Sequence, residues 1–110
     1  MKLEVHERIA LLDLLPKQSD YIGLLALRKA REIISFTPEE SEYYELRIGD
    51  DKRWHWDGPK ASQRILDAPI EEYIVGLIRE KLAELNDKKL LSELYLSLYE
   101  KFITNYQAVE

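Results

Sequence analysis

The spacing of apolar residues changes twice along this chain, and that change constrains the fold more than any single motif. From Val5 to Ile34 apolar residues recur at three and four, between Tyr44 and Trp56 they alternate, and from Ile70 to Phe102 the wider spacing returns. A period near 3.6 lines up side chains on one face of a helix, and a period of two does so on a strand. The pattern predicts an α+β fold, mostly helical, with a small antiparallel β-hairpin of two or three strands between N-terminal and C-terminal helical pairs. At 110 residues the chain fits one domain, expected over 1–110.

Local punctuation places the elements. Val5, Ile9, Leu12 and Leu15 predict a first helix, ended by Pro16, whose ring disfavours the α conformation at Leu15. Ser19 or Asp20 caps a second helix running to about Ser35, with Leu24, Leu27, Ala30 and Ile34 inward and Ile22, Leu25 and Ile33 beside them. Thr37-Pro38-Glu39-Glu40 is a capping box and predicts a short helix to about Tyr43. Gly49-Asp50-Asp51-Lys52 then separates Tyr44-Leu46-Ile48 from Trp54-Trp56, so both tryptophans are expected to face the helices with those three residues.

Asp57-Gly58-Pro59-Lys60 reads as a second turn, and Gln63 to Leu66 as the optional third strand. A helix is expected from Asp67-Ala68-Pro69 onward, with Ile70, Ile74, Leu77, Ile78, Leu82 and Leu85 as its apolar face. Gly76 in its middle implies close approach by a neighbour. After a break at 86–89, Ser92 caps a last helix lined by Tyr95, Leu98, Tyr99, Phe102 and Tyr106. That aromatic face completes the core, or its tail near Tyr106 meets a second copy through a two-fold contact, making a homodimer one expectation.

Composition removes several function classes. With no cysteine there is no disulfide framework, thiolate metal site or cysteine nucleophile, which suits a reducing cytoplasm. No apolar run is long enough for a membrane span, and no signal-peptide pattern opens the sequence. His6 and His55 belong to no metal-ligand spacing, and no phosphate loop or nucleophile elbow occurs, so no enzyme activity, metal or cofactor is expected.

The net charge of −5 is concentrated in residues 37–59, where seven acidic groups face three basic ones. Glu39, Glu40, Glu42 and Glu45 are candidates for meeting a basic protein, and Arg53, Trp54, His55 and Trp56 for an interaction surface on the hairpin. Arg28, Lys29 and Arg31 form the one basic cluster. The helix and hairpin order also echoes a winged-helix DNA-binding regulator, but three glutamates in the helix before the hairpin oppose docking to phosphates. A nucleotide-signal or other small-molecule binder is the further alternative, and it requires a pocket with converging polar groups.

Leu14-Leu15-Pro16-Lys17, Ser35-Phe36-Thr37-Pro38-Glu39-Glu40 and Leu98-Tyr99-Glu100-Lys101-Phe102, in that order, resemble small uncharacterised proteins of bacteriophages and prophages. The resemblance implies an accessory protein inside a bacterial cell that binds, and in some cases inhibits, a host or phage macromolecule. It assigns no functional residues.

Overall fold

Three of the helices begin where an N-cap side chain takes up a free backbone N–H group. The structure, a computed structural model, describes residues 1–105, with the backbone alone at Ser62 and Gln63. The chain runs β1 (Lys2–Leu3), α1 (Val5–Leu14), α2 (Tyr21–Ile34), α3 (Pro38–Tyr43), β2 (Arg47–Ile48), β3 (Trp54–His55), α4 (Gly58–Gln63), β4 (Leu66–Asp67), α5 (Glu72–Asp87) and α6 (Glu93–Tyr99), and α6 continues into a π-helical turn, Glu100–Thr104. The Asp20 carboxylate accepts the Gly23 N–H at 2.8 Å and starts α2. At α3 both halves of the capping box form: the Thr37 hydroxyl accepts the Glu40 N–H, and the Glu40 carboxylate accepts the Thr37 N–H, each at 3.1 Å.

The architecture is the mostly helical α+β fold that the periodicity predicts, with two separate two-stranded antiparallel sheets. Helix α1 is the centre of the packing and touches α2, α5 and α6. Leu11 and Leu14 meet Leu27 and Ile34 of α2, Ile74, Ile78 and Leu82 of α5, and Leu98 and Phe102 at the C-terminal end in one apolar cluster. A smaller cluster, built on Val5, Tyr44 and Ala61 with Phe36 and Trp56 against it, sits under the hairpin.

Among the described residues, two charged side chains, Glu7 and Arg8, lie fully inside this packing. Arg8 donates from Nε to Ile34 O (2.9 Å), from Nη2 to Ser35 O (2.8 Å), and from both Nη atoms to the Glu40 carboxylate (2.7 and 3.2 Å). Its guanidinium also lies 3.9 Å from the Phe36 ring centroid. One side chain thus joins α1 to the last carbonyls of α2 and the first turn of α3, the two helix ends whose dipoles favour a cation and an anion. Glu7 accepts from the Glu4 N–H (2.9 Å) and from Lys101 Nζ (2.5 Å), tying the π-helical turn to α1.

Several expectations are corrected. On α2 the buried stripe is Gly23, Leu27, Ala30 and Ile34, while Leu24, Leu25 and Ile22 lie at the surface. Gly23 occupies the inward position because Ser19 and Asp20 fold over it, leaving no room for a Cβ. The segment 58–63 is a helix rather than a turn leading to a third hairpin strand, since Asp57 caps it by accepting the Lys60 N–H at 2.9 Å. Leu66–Asp67 is a strand, but it pairs with Lys2–Leu3 and not with the hairpin.

The same pairing explains why α5 starts after Glu71. Ala68 donates its N–H to Met1 O (2.8 Å), extending the β pairing and withholding that residue from a helix. Gly76 faces open space, with nothing within 4 Å of an added Cβ, so no close neighbour accounts for it. Tyr95 and Tyr99 pack against the core rather than outward, and Tyr106 lies outside the described residues.

Candidate functional site

The hairpin shows why the expected tryptophan face splits in two. Glu45 takes a left-handed backbone (φ 54°) directly after α3, which breaks the alternation between Tyr44 and Leu46. Tyr44 turns into the small core, where its hydroxyl donates to Arg64 O at 3.2 Å and burial pushes its pKa up. Beyond the kink the ladder pairs Arg47 with His55 and Ile48 with Trp54. Ile48 and Trp54, directly paired, share a face that points outward, leaving Trp54 47% exposed. Trp56 lies past the ladder and packs on the small core.

Trp54 forms one wall of an open groove of about 430 Å³. Ile9 and Leu12 of α1 contribute to it, Phe36 comes from the link before α3, and Leu94 comes from the first turn of α6. Among the described residues Asp13 is the one charged side chain lining it, and it accepts the Tyr95 hydroxyl at 2.9 Å. Burial and this carboxylate raise the Tyr95 pKa to about 12, so the phenol stays a donor to Asp13.

The predicted site residues are not all brought together. Glu40 is turned inward to Arg8, whose hydrogen bonds hold its carboxyl below the usual 4.5, so it is absent from any free acidic face. Glu39, Glu42 and Glu45 remain exposed, with Glu45 3.5 Å from Lys60. His55 folds over Gly49 and pairs with Asp51 at 3.0 Å, which engages it within the hairpin, whereas Arg53 is exposed.

The basic cluster is divided. Lys29 pairs with Glu71 (3.0 Å) and Arg31 donates to Pro16 O, while Arg28 and Arg31 border a shallow hollow on α2. Sequence reasoning missed the groove, whose residues come from four distant segments with only apolar spacing as a signal.

One further cluster has catalytic polarity. His6 Nε2 lies 3.1 Å from Ser97 Oγ, and its Nδ1 lies 3.5 Å from Glu4. Ser97, however, lies inside α6, where the helix engages the backbone N–H groups that an acyl-transfer oxyanion would need. The contact ties α1 to α6. Among the described residues no three potential metal ligands converge, and no helix is long and apolar enough to cross a membrane. Compared with family models, curated proteins and solved structures, the chain matches none.

Proposed function

We propose that this chain is a non-catalytic binding protein whose groove beside Trp54 takes a segment of a protein partner. The partner segment presents a large apolar side chain to Ile9, Leu12, Phe36 and Leu94, with a Lys or Arg nearby to meet Asp13. The supporting observation is an exposed tryptophan, flanked by exposed Ile48, standing over an open apolar surface with a single carboxylate. Tryptophans in such settings dominate interface energies. Net charge −5 favours a basic partner through faster encounter. The resemblance to phage proteins supports a phage-encoded protein acting in the bacterial cytoplasm on a host or phage macromolecule, with inhibition as the consequence of binding.

Both alternatives fit less well. A nucleotide-sized ligand needs converging polar groups, and the groove offers one carboxylate already accepting a hydrogen bond. DNA binding needs a continuous basic face, and Lys29 and Arg31 are engaged elsewhere.

Peptides selected from a random displayed library against the folded protein test the proposal. The selected set should share an apolar anchor with a basic residue three or four positions away. Calorimetry should show at least about tenfold weaker binding to the Trp54→Ala protein. Peptides lacking that pattern, or bound equally by Trp54→Ala, would overturn it.

A further inference from the structure

A second hollow follows the Trp54 groove along β3, and β3 has one edge turned away from its hairpin partner. Arg53 O accepts the Gly49 N–H at 2.9 Å, His55 pairs with Arg47, and the Asp57 N–H donates to Tyr44 O at 2.8 Å. Arg53, His55 and Asp57 therefore turn their backbone groups toward β2. Backbone groups alternate in direction along a strand, so Trp54 turns its N–H and C=O to the opposite side. Among the described residues no third strand pairs with that edge.

The second hollow, of about 210 Å³, is lined by Trp56 together with Glu4, Val5 and His6 at the start of α1. Trp54 faces Ile9, Leu12 and Asp13, later in the same helix. Each hollow thus has a tryptophan wall from the hairpin and a carboxylate from the α1 segment. Glu4, whose carboxylate lies 3.5 Å from His6 Nδ1, keeps half of its side chain in solvent. Trp54 and Trp56 are two residues apart, about 6.7 Å along a strand, which is also the spacing of alternate side chains in an extended peptide.

We infer that the partner segment is extended and adds to β3 as an antiparallel strand, with a large apolar residue opposite Trp54 and a Lys or Arg two positions before it, opposite Trp56. This rests on the Trp54 reading and adds the partner's backbone conformation and a second subsite. Antiparallel pairing lets one partner residue satisfy both outward groups of Trp54. A cation laid on the Trp56 ring meets the Glu4 carboxylate, which selects the basic residue. The residue that meets Asp13 then follows the anchor. In strand addition of this kind main-chain bonds supply affinity, and hollows for alternate side chains supply specificity.

The probe is the tightest peptide from the displayed library, remade with single N-methyl groups along its backbone. Methylation at the anchor removes the N–H that Trp54 O accepts and should weaken binding at least about fivefold. Methylation one position to either side, where the N–H points away, should cost less than about threefold. Exchange of the Trp54 amide should slow at least about tenfold in the complex. Glu4→Gln should weaken the basic peptide about three- to tenfold and leave unchanged a form with alanine two positions before the anchor.

A peptide that depends on Trp54 yet tolerates N-methylation at the anchor, gains helix on binding, or leaves the Trp54 amide exchanging freely would overturn the inference while the Trp54 reading stands. So would Glu4→Gln acting equally on both peptides, or self-association of the protein that the peptide reverses. A peptide indifferent to Trp54→Ala, or a library without binders, overturns both.

Discussion

Replacing Arg8 with methionine should be the most damaging single change in the N-terminal half, and the structure allows its size to be worked out. Methionine restores much of the apolar volume but none of the four hydrogen bonds. The carbonyls of Ile34 and Ser35 lose their charged donor, at roughly 1–3 kcal/mol for each that stays out of water. Glu40 loses its partner, although its side chain is 25% exposed and water can reach it. The contact with the Phe36 ring adds ~0.5–2 kcal/mol. The expected total is about 3–5 kcal/mol, the range for breaking a buried pair.

Against a typical stability of ~5–15 kcal/mol, that is a large fraction, and Tm should fall by at least about 12 °C. Urea unfolding followed by circular dichroism measures it. Glu40→Gln alone should cost about 1–2 kcal/mol, and the double variant should be little worse than Arg8→Met, because both changes remove the same contact. An Arg8→Met protein within ~1 kcal/mol of wild type, or a fully additive double variant, would refute the reasoning.

Acid should weaken the fold in a defined window. Glu40, Asp51, Asp57 and Glu84 all titrate below their ordinary values, chiefly through hydrogen bonds from Arg8, His55, the Lys60 N–H and Lys88 respectively. A lowered folded-state pKa means that the unfolded chain binds protons first. The stabilisation is therefore present above about pH 4.5 and lost as pH falls through the folded-state values. Unfolding midpoints should drop below that pH, and Glu40→Gln should flatten part of the drop; equal acid sensitivity in both proteins would contradict the Arg8 pairing. Gly76→Ala should raise stability by about 0.5–1 kcal/mol, since the new methyl meets nothing and helix propensity improves. A lower Tm for that variant would mean that the face is covered.

Much of the fold was legible because helix ends are local chemistry. Asp20 capping α2, the Thr37–Glu40 box and the stop at Pro16 each depend on residues within one turn. The failures came where distant chain decided the outcome. Leu66 and Asp67 form a strand because Lys2 and Leu3 lie beside them, and no pattern around residue 66 encodes that partner. Nothing local marks Glu7 and Arg8 for the interior, yet both are buried, since α2, α5 and α6 all pack against α1.

Glu40 illustrates the limit for the site. The residues that make it a cap were visible, while the arginine that removes it from the acidic surface lies 32 positions away. Trp54 was visible as a candidate, but its exposure follows from the left-handed turn at Glu45, an uncommon conformation for a glutamate. The rest of the groove was hidden because Ile9, Phe36 and Leu94 are ordinary apolar residues until the fold brings them together.

The account rests on Trp54 as the anchor of a partner surface, and paired affinity capture from bacterial lysate tests that most directly. Wild-type and Trp54→Ala proteins, matched for folding by circular dichroism, are immobilised at equal density and the bound proteins quantified by mass spectrometry. The account predicts one or a few proteins retained by wild type and reduced at least about tenfold on Trp54→Ala. A captured set that is the same on both proteins would contradict it.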